Sequence, residues 1–157
     1  MKLRQTFICI TGVFFAVGLA ASQAGAGGPN PVCTDGVGNL MQIEINALRA
    51  GARTVSAGPN QSTNVTAKAR ILKGTAVAGT TIDTTLTIQA VDGATVISTN
   101  TTGPVRLGVG RGGKGAKLSL AIPQCASGFI NFVATFSGVD GENDTCEATR
   151  SLRKTCK

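Results

Sequence analysis

The chain has 157 residues, with 15 lysines and arginines against eight acidic side chains, a net charge of +7, and no histidine, tryptophan or tyrosine. Without histidine it lacks the usual general base near neutral pH and the commonest metal ligand. Without tryptophan or tyrosine it also lacks the usual platforms for stacking bases or sugar rings, while the cationic surface favours anionic partners without naming one.

Met1-Lys2-Leu3-Arg4 is a short basic start, Phe7 to Ala21 an almost unbroken apolar run, and Ala24-Gly25-Ala26 a small-residue A-x-A site. Residues 1–26 therefore read as a secretory signal peptide. An uncleaved anchor is the alternative, but the apolar run is short for one. Cleavage removes Lys2, Arg4 and Cys9, leaving about 131 residues with a net charge near +5 and four cysteines. No cysteine directly follows the small residues, so no lipoprotein attachment is expected, and no later segment is long and apolar enough to span a membrane. The expected location is secreted: extracellular or periplasmic, an oxidising setting in which disulfides persist. The mature chain is released, or held at the cell surface by other proteins.

Residues 27–38 form a Gly/Pro-rich linker, and residues 39–157 one domain. In the domain, short alternating segments are split by turn residues. Met41, Ile43 and Ile45 alternate with Gln42, Glu44 and Asn46. A helix over Leu40 to Gly51 is the competing reading, since Leu40, Ile43, Ala47 and Leu48 suit a helical face. Val65, Ala67, Ala69 and Ile71 alternate with Thr66, Lys68 and Arg70. Ile82, Leu86 and Ile88 alternate with polar neighbours, and Asp92-Gly93 marks a tight turn into Ala94 to Ser98. Val105 to Val109, Leu118 to Ile122, Phe129 to Phe136 and Cys146 to Cys156 complete the set. The pattern predicts an all-β fold, an antiparallel sandwich of about seven or eight strands.

The cysteine spacing constrains the pairing. Ten residues of strand would separate Cys146 from Cys156 by about 33 Å, too far for a bond between them. A hairpin through Ser137 to Thr145 opposes positions whose numbers sum to about 281–283, which brings Cys125 to Cys156. Cys33 is then left with Cys146, a pairing that holds if the first strand runs parallel to the last, as in many immunoglobulin-like folds. A redox-active pair is disfavoured because there is no C-x-x-C.

The order of these pieces resembles the bacterial cell-adhesion-related immunoglobulin-like domain family, often called CARDB. The matching stretches are Asn39-Leu40-Met41-Gln42-Ile43, Asn64-Val65-Thr66-Ala67-Lys68, Thr85 to Gly93 and Gly128 to Thr135, followed by an acidic turn and a final strand. The resemblance spans roughly residues 39–155. It implies a seven-stranded sandwich with adhesive or spacer roles and no catalytic residues. The four cysteines and the basic Gly-rich insert depart from that pattern.

That insert, Gly108-Val109-Gly110-Arg111-Gly112-Gly113-Lys114-Gly115, fits the start of a phosphate-binding loop and also contains G-x-G-x-x-G. A true loop of that kind needs Ser or Thr after its lysine and then a helix. Gly115 stands in the first place, and Lys117 to Ile122 alternates as a strand. A cationic anion-binding loop is the softer reading, with Arg106, Arg111, Lys114 and Lys117 near one hairpin. The bland one is a solvated inter-strand loop.

Asp140, Glu142 and Asp144 mimic the first positions of a calcium loop. Thr145 and Ser151 stand where an EF-hand needs Gly and Glu, so only a looser Ca²⁺ site remains. With Glu147 these carboxylates also suit paired acid/base chemistry, but all four sit on one turn with no aromatic subsite. Asn60, Asn64, Asn100 and Asn143 head glycosylation sequons, which matter only in a eukaryotic source.

The combined expectation is an antiparallel immunoglobulin-like β-sandwich stapled by Cys125–Cys156 and Cys33–Cys146, exported and non-enzymatic, with no cofactor. Its role would be structural, adhesive or in assembly, with protein partners at the cell surface or in the extracellular space. The alternative is a binding module for an acidic glycan, lipid headgroup or nucleic acid through residues 106–117.

Overall fold

The computed structural model describes residues 32–34, 40–72, 78–110, 112–139 and 145–157. Residues 1–26, the start of the linker and the acidic tip at 140–144 lie outside them. Among the described residues the fold is all-β. The strands are β1 (Val32–Thr34), β2 (Leu40–Ala50), β3 (Thr54–Val55), β4 (Ser62–Ile71), β5 (Thr81–Asp92), β6 (Thr95–Gly108), β7 (Lys114–Ala121), β8 (Phe129–Val139) and β9 (Thr145–Cys156). They form two sheets in a sandwich-like arrangement. One has the order β1-β2-β4-β7, the other β3-β9-β8-β5-β6.

Alternation explains the layering. Val65, Ala67, Ala69 and Ile71 of β4 are fully buried, while Lys68 between them is exposed. Leu86, Ile88 and Ala90 of β5 and Ile130, Phe132, Ala134 and Phe136 of β8 fill the facing layer. Full burial of Phe132 or Phe136 contributes about 1.5–3 kcal/mol each. Residues 40–50 are a strand, so the helical alternative for that stretch does not hold. Tertiary pairing with β4 decides it, and the ladder skips at Asn46 between Ile45 and Ala47. That bulge resets the parity, so Leu48 faces inward and Arg49 outward.

The predicted turn at Asp92-Gly93 joins β5 to β6. Asp92 pairs with Thr95, and Gly93 has φ +62°, which glycine adopts without steric cost. Two expected strands, 94–98 and 105–109, are in fact one, β6. Pro104 does not break it, because β6 is an edge strand and the ladder skips Gly103-Pro104 opposite Thr85.

The outer face of the larger sheet carries a threonine row across four strands, Thr149, Thr135, Thr87 and Thr101. The Thr87 and Thr101 hydroxyls lie 3.1 Å apart, as do those of Thr135 and Thr149. Such cross-strand pairs stabilise a sheet by about 0.2–1 kcal/mol each.

After β6 the chain crosses between the sheets. Val109 makes an isolated parallel bridge to Ile71 of β4, and the Asn100 side chain of β6 donates to the Ser119 carbonyl of β7 at 2.8 Å. The smaller sheet is thereby curled as a half-barrel against the edge of the larger one. At the opposite edge Arg150 of β9 donates to the Ile45 carbonyl of β2, at the bulge, at 2.8 Å.

Both expected disulfides are present, with Cα–Cα distances of 5.6 Å for Cys33–Cys146 and 6.3 Å for Cys125–Cys156. The strand bearing Cys33 pairs antiparallel with β2 in the smaller sheet and makes no pair with β9. The parallel neighbour of β9 is the two-residue β3, and Cys33–Cys146 therefore bridges the two sheets. The hairpin register is also shifted slightly: Phe129 faces Thr155 and Gly138 faces Cys146. Cys125 lies outside the ladder, in the turn before β8.

Candidate functional site

The described cations expected near one hairpin, Arg106, Lys114 and Lys117, are divided between strands of two sheets. β6 and β7 belong to different sheets, so the segment joining them is a crossover and not a hairpin. Arg106 lies on β6, opposite Asp83 of β5, and donates through Nε and Nη2 to its two carboxylate oxygens, each at 2.8 Å. This fork holds the Asp83 carboxyl below the usual carboxylate range and raises Arg106 above its own. Arg111 lies outside the described residues. Lys114 is exposed at the start of β7. Lys117 is exposed on the outer face of β7, beside buried Leu118.

Lys117 has company that the sequence reading did not assign to it. Thr66 of β4 pairs with Lys117 on one side and with Arg49 of β2 on the other, so the three stand in one row. Two strand spacings separate Arg49 from Lys117, roughly 10 Å. Lys68, two residues along β4 or roughly 7 Å, pairs with Gly115. Arg70 is next, and its Nε donates to Glu44 Oε2 at 2.9 Å. Among the described residues, the outer face of β2, β4 and β7 thus holds Arg49, Lys68, Arg70 and Lys117 against Glu44 alone. The alternation of β4 already pointed Lys68 and Arg70 outward. Arg49 was hidden by the bulge at Asn46, which no period-2 reading carries across.

Asp92 is a second residue with no signal beyond its turn. Its carboxylate is buried and accepts from the Ser127 hydroxyl at 2.5 Å and from the Ala126 and Ser127 amides at 2.7 and 2.9 Å. These bonds, the Ser127 hydroxyl foremost, hold its carboxyl below the usual range. They also fix the bend that presents Cys125. The neighbouring amide of Cys156 donates to the Gly128 carbonyl at 3.1 Å.

β9 is consequently held at both ends. Cys146, near its start, is bonded to β1 of the opposite sheet, and Cys156, its last residue, to the bend before β8. On its outer face Arg153 stacks over the Phe129 ring, 3.4 Å from the centroid.

The weak calcium candidates Asp140, Glu142 and Asp144 lie outside the described residues. Among the described residues no group of three or more potential metal ligands occurs. The described carboxylates are each engaged: Glu44 by Arg70, Asp83 by Arg106, Asp92 by the 126–127 bend and Glu147 by the Thr149 hydroxyl at 3.3 Å. The two disulfides fit an oxidising extracellular environment. No helix among the described residues is long and apolar enough to cross a membrane.

Compared with protein families, with curated proteins and with solved structures, the chain matches none.

Proposed function

We propose that this chain is an exported, non-enzymatic module of immunoglobulin-like kind with a structural or adhesive role, and that its C-terminal strand transmits tension. The observation that carries this is the Cys33–Cys146 bond, which ties the start of β9 to the strand bearing Cys33. A pull between the segment before Cys33 and Lys157 has a short covalent route: across the Cys33–Cys146 bond, along β9 and out. That route bypasses the 113-residue separation between the two cysteines. β9 is already an extended strand, at about 3.3 Å per residue against a limit of about 3.6 Å. Little length remains to be drawn out of it.

The strand order also supports the immunoglobulin-like reading. Leaving aside the short β1 and β3, the first, second and fifth long strands make one sheet, and the seventh, sixth, third and fourth make the other. A fourth strand beside the third, not beside the fifth, distinguishes this from the constant-type pattern. The non-enzymatic reading draws on a chain without histidine and on described carboxylates that are all engaged. An anion-binding loop over residues 106–117 has less support, because Arg106 is spent on Asp83 in the other sheet.

The test is export. Expressed from Met1 in a host with a secretory pathway, the protein is expected outside the cytoplasm, beginning near Gly27. It should expose no maleimide-reactive thiol until reduced. A full-length chain retained in the cytosol with reactive thiols would contradict the proposal.

A further inference from the structure

The outer face of the smaller sheet carries four cations and, among the described residues, one acid, Glu44. Arg49, Lys68 and Lys117 point away from the core on adjacent strands, since each borders a buried neighbour: Leu48, Ala67 and Ala69, and Leu118. No acidic side chain among the described residues pairs with these three, whereas Arg70 has Glu44. Their row is bordered by neutral hydrogen-bonding groups. Thr66 lies between Arg49 and Lys117, and the next row along holds Asn64 opposite Ser119.

We infer that this face binds an acidic polysaccharide, with Arg49, Lys68 and Lys117 meeting its carboxylate or sulfate groups and Asn64, Thr66 and Ser119 its hydroxyls. Charge complementarity selects a polyanion, and three further observations select the polysaccharide. Single-stranded nucleic acid calls for exposed aromatic platforms. The chain has no Trp or Tyr, Phe132 and Phe136 are fully buried, and Phe129 lies in the other sheet under Arg153. A lipid surface calls for apolar side chains that enter it beside the cations. Among the described residues the exposed large apolar ones are Leu40, at the far end of β2 from Arg49, and Val96 and Val139, both in the other sheet. A row of cations on a pleated face, flanked by amide and hydroxyl groups, instead matches a linear chain of charged, hydroxyl-rich sugars. The charge geometry stands independently of the adhesive role proposed above. Only the availability of an extracellular polysaccharide rests on that role.

The experiment uses the oxidised full chain on immobilised heparin as the polysaccharide probe. The triple variant R49Q/K68Q/K117Q is compared with a control that removes three cations elsewhere, R106Q/R153Q/K154Q. Exposed ion pairs of this kind are worth about threefold each in affinity, so the triple variant is expected to bind roughly thirtyfold more weakly and elute at lower salt. The control should fall much less. Single-stranded DNA and vesicles of 7:3 phosphatidylcholine to phosphatidylglycerol should bind wild type more weakly than heparin does at matched salt. Equal losses in triple variant and control would mean net charge alone acts, and overturn the proposal. Stronger retention by DNA or by the vesicles would overturn the choice of ligand. Failure here leaves the export test untouched, and failure of export leaves this measurement interpretable.

Discussion

Replacing Cys33 and Cys146 together by alanine is expected to cost about 5 kcal/mol of stability. In the chain-entropy model the cost grows with the loop that a bond closes. Cys33–Cys146 closes a separation of 113 residues and Cys125–Cys156 one of 31. The second pair should therefore cost less, about 3.5 kcal/mol when replaced by alanine. Burial adds to the difference, since Cys146 is fully buried and its bond joins the two sheets at the edge where Arg150 also reaches across. At roughly 4 °C per kcal/mol for a domain of this size, the first variant should melt about 20 °C below wild type. Thermal unfolding followed by circular dichroism measures both variants. A smaller loss in C33A/C146A than in C125A/C156A would remove the long-range bond from its place in the account.

Gly115→Ala is expected to destabilise by about 3 kcal/mol, a large effect for one methyl group. Gly115, the second residue of β7, faces Lys68 where the two strands approach so closely that a Cβ would overlap the Ala67 carbonyl oxygen. It would also meet the Ala67 carbonyl carbon and the Lys68 Cα at 2.8 Å. These obstacles are backbone, so no rotamer change can relieve them. β7 would have to part from β4 where the ladder begins. Overpacking of this sort costs about 1–3 kcal/mol, and broken ladder bonds add to it. Gly112→Ala is the control, because a Cβ there would meet nothing within 4 Å, and it should be close to neutral. Chemical denaturation of the two variants decides. Equal stability would mean the close approach has no energetic weight.

Gly115 also marks where the sequence ceased to be legible. Read in one dimension, it is one more glycine in a flexible basic loop. In the fold it is a strand residue required by a neighbouring backbone, a contact with Ala67 that lies 48 positions earlier and leaves no local trace. What was legible depended on period and spacing. The burial of Val65, Ala67, Ala69 and Ile71 followed from alternation, and the Asp92-Gly93 turn from its residues. Cys125–Cys156 followed from strand length and hairpin geometry. Cys33–Cys146 came by elimination, with the right partner. Spacing fixes which cysteines can meet but not which sheet carries each. The same limit hid which sheet carries each basic residue. Arg106 and Lys117 are close in sequence, yet a crossover sends them to different sheets. Arg49 and Lys117 are far apart in sequence, yet β4 places them in one row.

A chain cross-linked in this way is expected to pass tension along β9 without opening. The direct test is single-molecule pulling between the segment before Cys33 and Lys157. The oxidised wild type is expected to lengthen by no more than about 10 Å, because β9 is already near its limit of about 3.6 Å per residue. C125A/C156A should behave the same way, since the Cys33–Cys146 bond still bypasses the domain. C33A/C146A must unravel to Cys125 before the remaining bond carries the load, releasing roughly 300 Å from about 92 residues. An oxidised wild type that yields hundreds of ångströms would contradict the account.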